Sequence, residues 1–192
     1  MNRVLIDCFG HQIRIAIVEQ GQLVEVLLEN KEEKSIVGNI YAGKVVSVVE
    51  GMQAAFVDIG QEKNAYYYYG SQRAKTDTFE RKSKKPKTGD TVTVQVQKDA
   101  VGQKGAVVTD KIALIGKFLI LLLTESGQIN VSQKIENSDE KKRIKHCMEQ
   151  ILPKEYGVIV RTQGEHKIQE VFEQEIKYLV KQAEKIKNTK EF

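Results

Sequence analysis

The chain has 192 residues and a net charge of +4, from 30 Lys and Arg against 26 Asp and Glu. This length suits one ordinary domain or two small ones, and the mild positive charge permits a polyanionic partner without requiring one. Two distant cysteines and three histidines exclude a disulfide framework and a zinc ribbon. The longest apolar run, residues 112–123, is too short to span a bilayer. We therefore predict a cytoplasmic protein without membrane contact.

Short strands are predicted at the start of the chain. Apolar and polar residues alternate through residues 4–30, with turn signals at Gly10 and at Gln20–Gly21, which predicts about three antiparallel strands. The charged stretch at residues 31–35 then breaks the pattern. We predict a separate N-terminal unit at residues 1–36, and its exposed strands also predict self-association.

The segment that follows contains about five further strands, punctuated by glycine. This number of short strands matches an OB-fold barrel, which we predict at residues 37–110. Residues 71–87, between the third and fourth strands, are polar and predict an exposed loop. The loop holds the densest basic patch of the chain: Arg73, Lys75, Arg81, Lys82, Lys84, Lys85 and Lys87.

Residues 111–187 have the pattern of a small α/β unit. Residues 117–135 predict a buried hairpin, and residues 157–162 predict another strand. A helix is predicted at residues 138–152, capped by Asn137 or Ser138. A long amphipathic helix is predicted at residues 165–187. Its expected apolar face comprises Ile168, Val171, Phe172, Ile176, Leu179, Val180 and Ala183.

The run of four tyrosines has two interpretations. On an extended strand, Tyr66 and Tyr68 share one face and the other two tyrosines share the opposite face. An exposed aromatic pair, with Phe56 of the preceding strand beside it, can stack unpaired bases. The alternative is that the rings pack inward, which ring composition alone favours. The basic loop is by itself most simply a solvated surface, but together with the rings it favours single-stranded nucleic acid.

Other polar residues give weaker signals. The sequence contains no P-loop, nucleophile elbow or HExxH motif. Asp58 has no second carboxylate near it in sequence, so we predict that it caps a turn. Arg161 and Thr162 end a predicted strand before Gly164, an arrangement that can hold a phosphate in a fork. Arginines are common at strand ends, so this pattern needs further support.

Four blocks of sequence provide that support, because they resemble the ribonuclease E/G family in order and spacing. The blocks are NIYAGKVVSVVEGMQAAFVDIGQEKNAYYY, KDAVGQKGAVVTDKIALIGKFLILL, VSQKIEN and ILPKEYGVIVRTQG. The resemblance implies that the N-terminal strands begin an RNase H-like subdomain. It implies an α+β fold class, in which an S1-type OB-fold barrel is inserted between these antiparallel strands and a small α/β 5′-sensor-like unit.

The resemblance also implies roles for barrel residues. Phe56, Tyr66 and Lys104 match the family positions that hold RNA. Tyr68 and Lys44 complete our predicted RNA-binding set.

A second set of residues matches the family pocket for a 5′-monophosphate. Arg161 and Thr162 are expected at the phosphate, and Ile120 under the terminal base. Gly116 completes this set. Gln133 departs from the pattern, since the family usually has arginine there.

The family's catalytic aspartates and its CPxCxG zinc link have no counterpart in this sequence. We therefore expect no catalytic residues, metal or cofactor in this chain, although Mg²⁺ serves the full-length family members. The expected function is binding of single-stranded RNA, with sensing of 5′-monophosphate ends, in RNA processing or decay. The alternative is the regulatory half of a split or truncated Mg²⁺-dependent endoribonuclease, which implies a separate catalytic subunit as partner. A third interpretation is a decayed fragment that folds but has no role.

Overall fold

The computed structural model describes residues 2–30, 35–70 and 85–188, with side chains described at all of them except 29 and 30. The chain forms two units, Met1–Ile36 and Val37–Phe192. The described residues form a three-stranded sheet, a closed five-stranded barrel, a four-stranded sheet and two α-helices. The predicted α+β class is confirmed at this level.

The N-terminal unit is an antiparallel sheet of three strands in the order β1 (Arg3–Phe9), β2 (Gln12–Glu19) and β3 (Gln22–Asn30). Positive φ angles at Gly10, Gln20 and Gly21 allow the tight turns at the predicted places. Many large apolar side chains of this unit are exposed: Val4, Leu5, Ile6, Phe9, Leu23, Val24, Val26, Leu27 and Leu28. Self-association through these strands stays a prediction.

The barrel closes in the order β4-β5-β6-β8-β7. Its strands are β4 (Ile40–Val49), β5 (Ala54–Asp58), β6 (Ala65–Tyr68), β7 (Thr91–Lys98) and β8 (Val107–Thr109). Strands β6 and β8 pair in parallel, and the other pairs are antiparallel. Strand number and closure are those of an OB-like barrel.

Strand alternation divides the barrel residues into an inner and an outer set. Val57 lies opposite Val45 and Ala65 on its neighbouring strands, and all three are buried. Tyr67 lies opposite Ala55 and is also buried. Burial first, and then Asp110, raises the pKa of Tyr67 above its ordinary value. Inward packing is therefore correct for this one tyrosine.

The remaining strands form a second sheet in the order β11-β12-β10-β9. They are β9 (Ala113–Ile115), β10 (Leu119–Leu122), β11 (Ile129–Val131) and β12 (Gly157–Val160). The predicted hairpin over residues 117–135 is wrong, because β12 lies between β10 and β11. Three of the four residues are buried in β12 and likewise in β10, and these two strands take the central places, each with a partner on both sides.

Two helices cover one face of this sheet. Helix α1 spans Ser138–Ile151, and Asn137 is its N-cap, since its Oδ1 accepts the backbone N–H groups of residues 139 and 140 at 2.9 and 3.1 Å. Helix α2 spans Gln169–Asn188. It begins four residues later than predicted because His166 has φ of 59°, which a helix cannot accommodate. Ile168 precedes the helix and is 61% exposed, so its place on the apolar face was wrong.

The sheet and the helices enclose a single apolar cluster. Its largest fully buried members are Leu119, Leu121, Ile135, Ile144, Met148, Tyr156, Val158 and Phe172. A buried amide joins the barrel to the same sheet. Gln95 Nε2 donates to the carbonyls of Gly38 and Ala113 at 2.9 and 3.0 Å, and its Oε1 accepts the Ala113 N–H at 2.8 Å. Every polar atom of this side chain is thereby satisfied.

Within the described part of the chain, Glu140 is the one buried carboxylate. Arg143 donates Nε and Nη2 to its two oxygens at 2.7 and 2.8 Å, and the backbone N–H of His166 donates to Oε1 at 2.8 Å. These hydrogen bonds, led by that from Arg143, hold the pKa of Glu140 at about 2, against an ordinary value of 4.5. The stability gained is therefore fully present above pH 4.5 and is lost as pH falls towards 2.

We expect Glu140→Gln to destabilise the protein at pH 7 by about 1–2 kcal/mol, less than the full pKa difference implies, because Arg143 is partly exposed and screened by solvent. The difference from wild type should shrink as pH falls below 4.5. Denaturant unfolding followed by circular dichroism at pH 7, 5 and 3.5 measures it. Asp139→Asn, at an exposed neighbour, is the control. A loss that is the same at every pH would contradict the assignment to the carboxylate.

Candidate nucleic-acid interface

Phe56 and Tyr66 stand side by side on the outer face of the barrel. They are direct partners in the β5–β6 register, and both are partly exposed. Their ring centroids are 6.1 Å apart at an interplanar angle of 73°, an edge-to-face contact that holds each ring against the other. The structure thus brings together the two rings that the resemblance paired.

Tyr68 and Lys44 lie on the same outer face as these rings. Tyr68 is two residues beyond Tyr66 on β6, and its hydroxyl donates to Gln53 Oε1 at 3.4 Å. Lys44 is exposed and is paired with Asp58, which shares the face of Phe56 on β5. Asp58 Oδ1 accepts the N–H of residue 60 at 2.9 Å, which confirms its predicted role as a turn cap.

Lys104 is exposed in a tight turn that leads into β8. Val101 and Lys104 exchange two backbone hydrogen bonds of 3.0 Å, and Lys63 Nζ donates to the carbonyl of Gly102 at 2.6 Å. Just after this turn, the carbonyl of Ala106 accepts the N–H of Tyr66 at 2.7 Å. The turn that carries Lys104 is therefore attached to the strand that carries the tyrosine rings.

Most of the basic loop lies outside the described residues, including Arg73, Lys75, Arg81, Lys82 and Lys84. Two of its members are described and exposed. Lys85 forms an ion pair with Glu50, and Lys87 lies at the turn before β7. The prediction that this loop contacts a polyanion stays a prediction.

Arg161 follows β12 directly and is anchored to the turn between β9 and β10. Its Nη1 donates to the carbonyl of Gly116 at 2.6 Å and, more weakly, to that of Lys117 at 3.4 Å. Its backbone N–H donates to the carbonyl of Phe118 at 2.8 Å. Since a guanidinium has five N–H donors, several stay available for an anion beside this anchor.

The Thr162 hydroxyl lies 3.0 Å from Ser132 Oγ, at the point where β11 and β12 end. Ser132 was not among the predicted site residues, and only the order of the strands brings it here. Its Oγ also accepts the N–H of Lys134 at 3.4 Å. Ser132 is followed by Gln133, which is exposed. The neutral Gln133 adds no charge at this edge.

Ile120 lies in a row of three isoleucines across the sheet. It is the register partner of Ile115 on β9 and of Ile159 on β12. These residues alternate with Leu119 and Leu121, which face the helical core, so the row lies on the opposite face. Ile115 is 69% exposed. This apolar face could seat a base next to Arg161, and sequence reasoning missed two of its three members.

Two lysines on the ring of Phe118 bring positive charge close to Arg161. The Lys117 and Lys167 Nζ atoms lie 5.2 and 5.5 Å from the centroid of its ring, within cation–π range. The two lysines come from segments about 50 residues apart, so no local pattern could have predicted their meeting. The edge of the sheet thus carries three cationic side chains.

Metal ligands are not grouped in the described parts of the chain, residues 2–30, 35–70 and 85–188. Within them, no cluster of three or more His, Cys, Asp or Glu could hold a metal ion. These residues therefore do not fit the oxygen-rich site that Mg²⁺ prefers, and we assign no Mg²⁺-dependent step to them. Over the same residues, no helix is both long and apolar enough to cross a membrane.

Comparisons with known proteins agree with these features. Residues 113–191 match the model of the Ribonuclease E/G family. The chain is 37% identical over 186 residues to ribonuclease G of Haemophilus influenzae. The aligned region covers 92% of this chain and 38% of that protein. The chain is 34% identical over 172 residues to ribonuclease G of Escherichia coli K12, covering 84% and 35%.

The chain is also 31% identical over 175 residues to ribonuclease E of Buchnera aphidicola subsp. Acyrthosiphon pisum. The aligned region covers 85% of this chain and 19% of that protein. The chain thus spans well under half the length of these relatives and corresponds to their N-terminal part. Together with the match over residues 113–191, this shows that the chain belongs to the Ribonuclease E/G family.

Proposed function

We propose that this chain binds single-stranded RNA on the outer barrel face of Phe56 and Tyr66 and engages a 5′-monophosphate end at Arg161 and Thr162. In this proposal, the barrel at residues 37–110 is an S1-type domain, and residues 111–187 form a 5′-end sensor. The function is RNA processing or decay in the cytoplasm. The observation that carries the proposal is that the consecutive residues Arg161 and Thr162 are both held at the end of β12. The guanidinium of Arg161 is anchored on the carbonyl of Gly116, and the hydroxyl of Thr162 lies 3.0 Å from Ser132 Oγ.

The chemistry of the pocket suits a terminal phosphate. A monophosphate end offers charged oxygens, which prefer the fork of an arginine to a single ammonium. Binding of Nη1 to a carbonyl leaves the other guanidinium N–H groups as donors to phosphate. Ser132 can donate to Thr162 Oγ1 and leave the threonine proton for the phosphate. Ile120 and its neighbours provide the apolar surface for the first base.

The chemistry of the barrel face suits the bases that follow. The edge-to-face pair of Phe56 and Tyr66 leaves both rings partly exposed for stacking, which tolerates any base. Lys44 and Lys104 are exposed on the strand and turn beside them and can pair with phosphates. Tyr68 extends the same face by one outward position.

A second candidate is the RNA-binding half of an Mg²⁺-dependent endoribonuclease that works with a separate catalytic subunit. It is favoured by membership of the Ribonuclease E/G family together with the lack of a carboxylate cluster for a metal ion within residues 2–30, 35–70 and 85–188. In that case, the carboxylates that bind Mg²⁺ would belong to the partner. RNA recognition by this chain would be the same in both candidates.

We expect Phe56→Ala or Tyr66→Ala to weaken binding of a labelled 5′-hydroxyl single-stranded RNA by about 1–3 kcal/mol, because each removes one stacking surface. Fluorescence anisotropy measures the affinity. Tyr178→Ala, at a tyrosine of α2 that is 63% exposed, is the matched control and should leave the affinity unchanged. Wild-type affinity in both barrel variants would refute the stacking surface.

We expect Arg161→Ala to abolish a preference for 5′-monophosphate over 5′-hydroxyl RNA. The binding free energy of the monophosphate RNA alone should weaken by about 1.5–3 kcal/mol, because charged hydrogen bonds to the phosphate are lost. Paired anisotropy titrations with the two RNAs measure it. Arg14→Ala removes the same charge from the N-terminal sheet and should keep the preference. If wild type binds both ends equally, end recognition is wrong and only the barrel surface stands.

We expect the purified chain to leave the same RNA intact when incubated with Mg²⁺, as seen on a denaturing gel. Addition of a catalytic subunit with carboxylate ligands should restore cleavage if the second candidate is correct. Cleavage that persists through repurification of the chain alone would mean that this chain contains an active site.

A further inference from the structure

Glu175 of α2 holds the turn between β9 and β10. Its Oε1 accepts the backbone N–H of Lys117 at 2.6 Å, and its two oxygens accept the N–H of Phe118 at 3.3 and 3.0 Å. Hydrogen bonds from backbone N–H groups to a carboxylate are charge-assisted and stronger than neutral ones. A helix side chain thus fixes both peptide N–H groups of this turn.

Gly116 makes room for this carboxylate. A Cβ at this position would lie 2.6 Å from Oε1 and 2.8 Å from Cδ of Glu175, and 3.0 Å from the carbonyl oxygen of Leu119. The carboxylate is the far end of a flexible side chain, so a methyl group at Gly116 would mainly displace it, and the Leu119 carbonyl would have to shift only slightly. The need for glycine here is explained by the approach of Glu175.

The two sides of the turn bind partners of opposite charge. Its N–H groups, at Lys117 and Phe118, face the carboxylate of Glu175, while its carbonyls, at Gly116 and Lys117, accept Nη1 of Arg161. Because a peptide group is rigid, fixing its N–H direction also fixes the direction of the carbonyl in the same plane. The position of the guanidinium therefore depends on Glu175.

We propose that Glu175 is a positioning residue for the 5′-phosphate pocket, which acts through the turn at residues 116–118 to orient the guanidinium of Arg161. This inference rests on the proposed function of that pocket. Two hydrogen-bonded N–H groups spread the negative charge of Glu175, so that a carboxylate is tolerated close to a site for an anion.

The first test compares the preference for 5′-monophosphate over 5′-hydroxyl RNA in wild type, Glu175→Ala and Gly116→Ala. We expect both variants to reduce the preference by about tenfold, as expected when one charge-assisted contact is lost, while the affinity for 5′-hydroxyl RNA is kept. Glu175→Gln retains one carbonyl acceptor and should have an intermediate effect. A merely structural role would lower the unfolding temperature, or the affinities for both RNAs, without changing the ratio of the two affinities.

The matched control is Glu170→Ala, which removes the same charge from an exposed position in the first turn of the same helix. It should leave the preference at the wild-type value. If Glu175→Ala also keeps the wild-type preference, the positioning role is refuted and the function of Arg161 stands.

A second readout needs no RNA. Nuclear magnetic resonance of the Arg161 guanidinium in the free protein reports rotation about the Cζ–Nη bonds, which we expect to be slow in wild type and in Glu170→Ala but fast in Glu175→Ala. If wild type shows no preference for either RNA end, the pocket function fails, and this measurement still decides the positioning. Equal rotation rates in wild type and Glu175→Ala would overturn it.

Discussion

The central place of β12 in the second sheet is the constraint on which the rest of the candidate site depends. Because β12 pairs with β10 on one side and β11 on the other, its C-terminal end delivers Arg161 and Thr162 between two neighbouring turns. Arg161 then meets the carbonyl of Gly116 beyond β9, and Thr162 meets the hydroxyl of Ser132 beyond β11. If β10 and β11 had formed a direct hairpin, these three segments could not have met at one edge. The place of the buried, apolar strand β12 thus determines where the polar residues Arg161 and Thr162 lie, although both come after its end.

Two carboxylates from two helices hold the segments around this edge. Glu140 of α1 accepts the N–H of His166 and pairs with Arg143, which also donates to the carbonyl of Lys167. This fixes the segment after Thr162. Glu175 of α2 fixes the turn on the other side of Arg161. In both cases hydrogen bonds to the carboxylate offset the cost of removing it from water, and the same hydrogen bonds order a loop. Rigid loops of this kind are what a preorganised anion site requires.

The sequence predicted those features that local patterns control. Strand alternation placed Tyr66 and Tyr68 on one face, although it did not show which face points outward. The N-cap of α1 was predicted to be one of two neighbouring residues, Asn137 or Ser138, and it is Asn137. Arg161 and Thr162 were predicted as site residues from the family-like blocks and not from their own pattern, and their role stays a prediction. The order of the strands could not be read from the chain, because it depends on contacts between segments that are far apart in sequence. Glu175 was missed for the same reason: its partners are 57 and 58 residues away, and an acidic residue on an amphipathic helix is normally a solvated one.

The barrel face and the proposed phosphate pocket at Arg161 are linked by a short and well-fixed stretch of chain. Strand β8 pairs with β6, the strand of the tyrosine rings, and the chain then passes the junction at Ala113, where Gln95 binds both backbone groups. Strand β9 follows at once and ends at the turn that anchors Arg161. Under the proposed function, an RNA held by its bases on the barrel would therefore meet the pocket at a set distance. Two modest contacts on one rigid support reinforce each other through effective concentration. The buried amide of Gln95 touches no RNA in this proposal. It would still contribute to the affinity for RNA because it keeps the two binding surfaces at a fixed distance from each other.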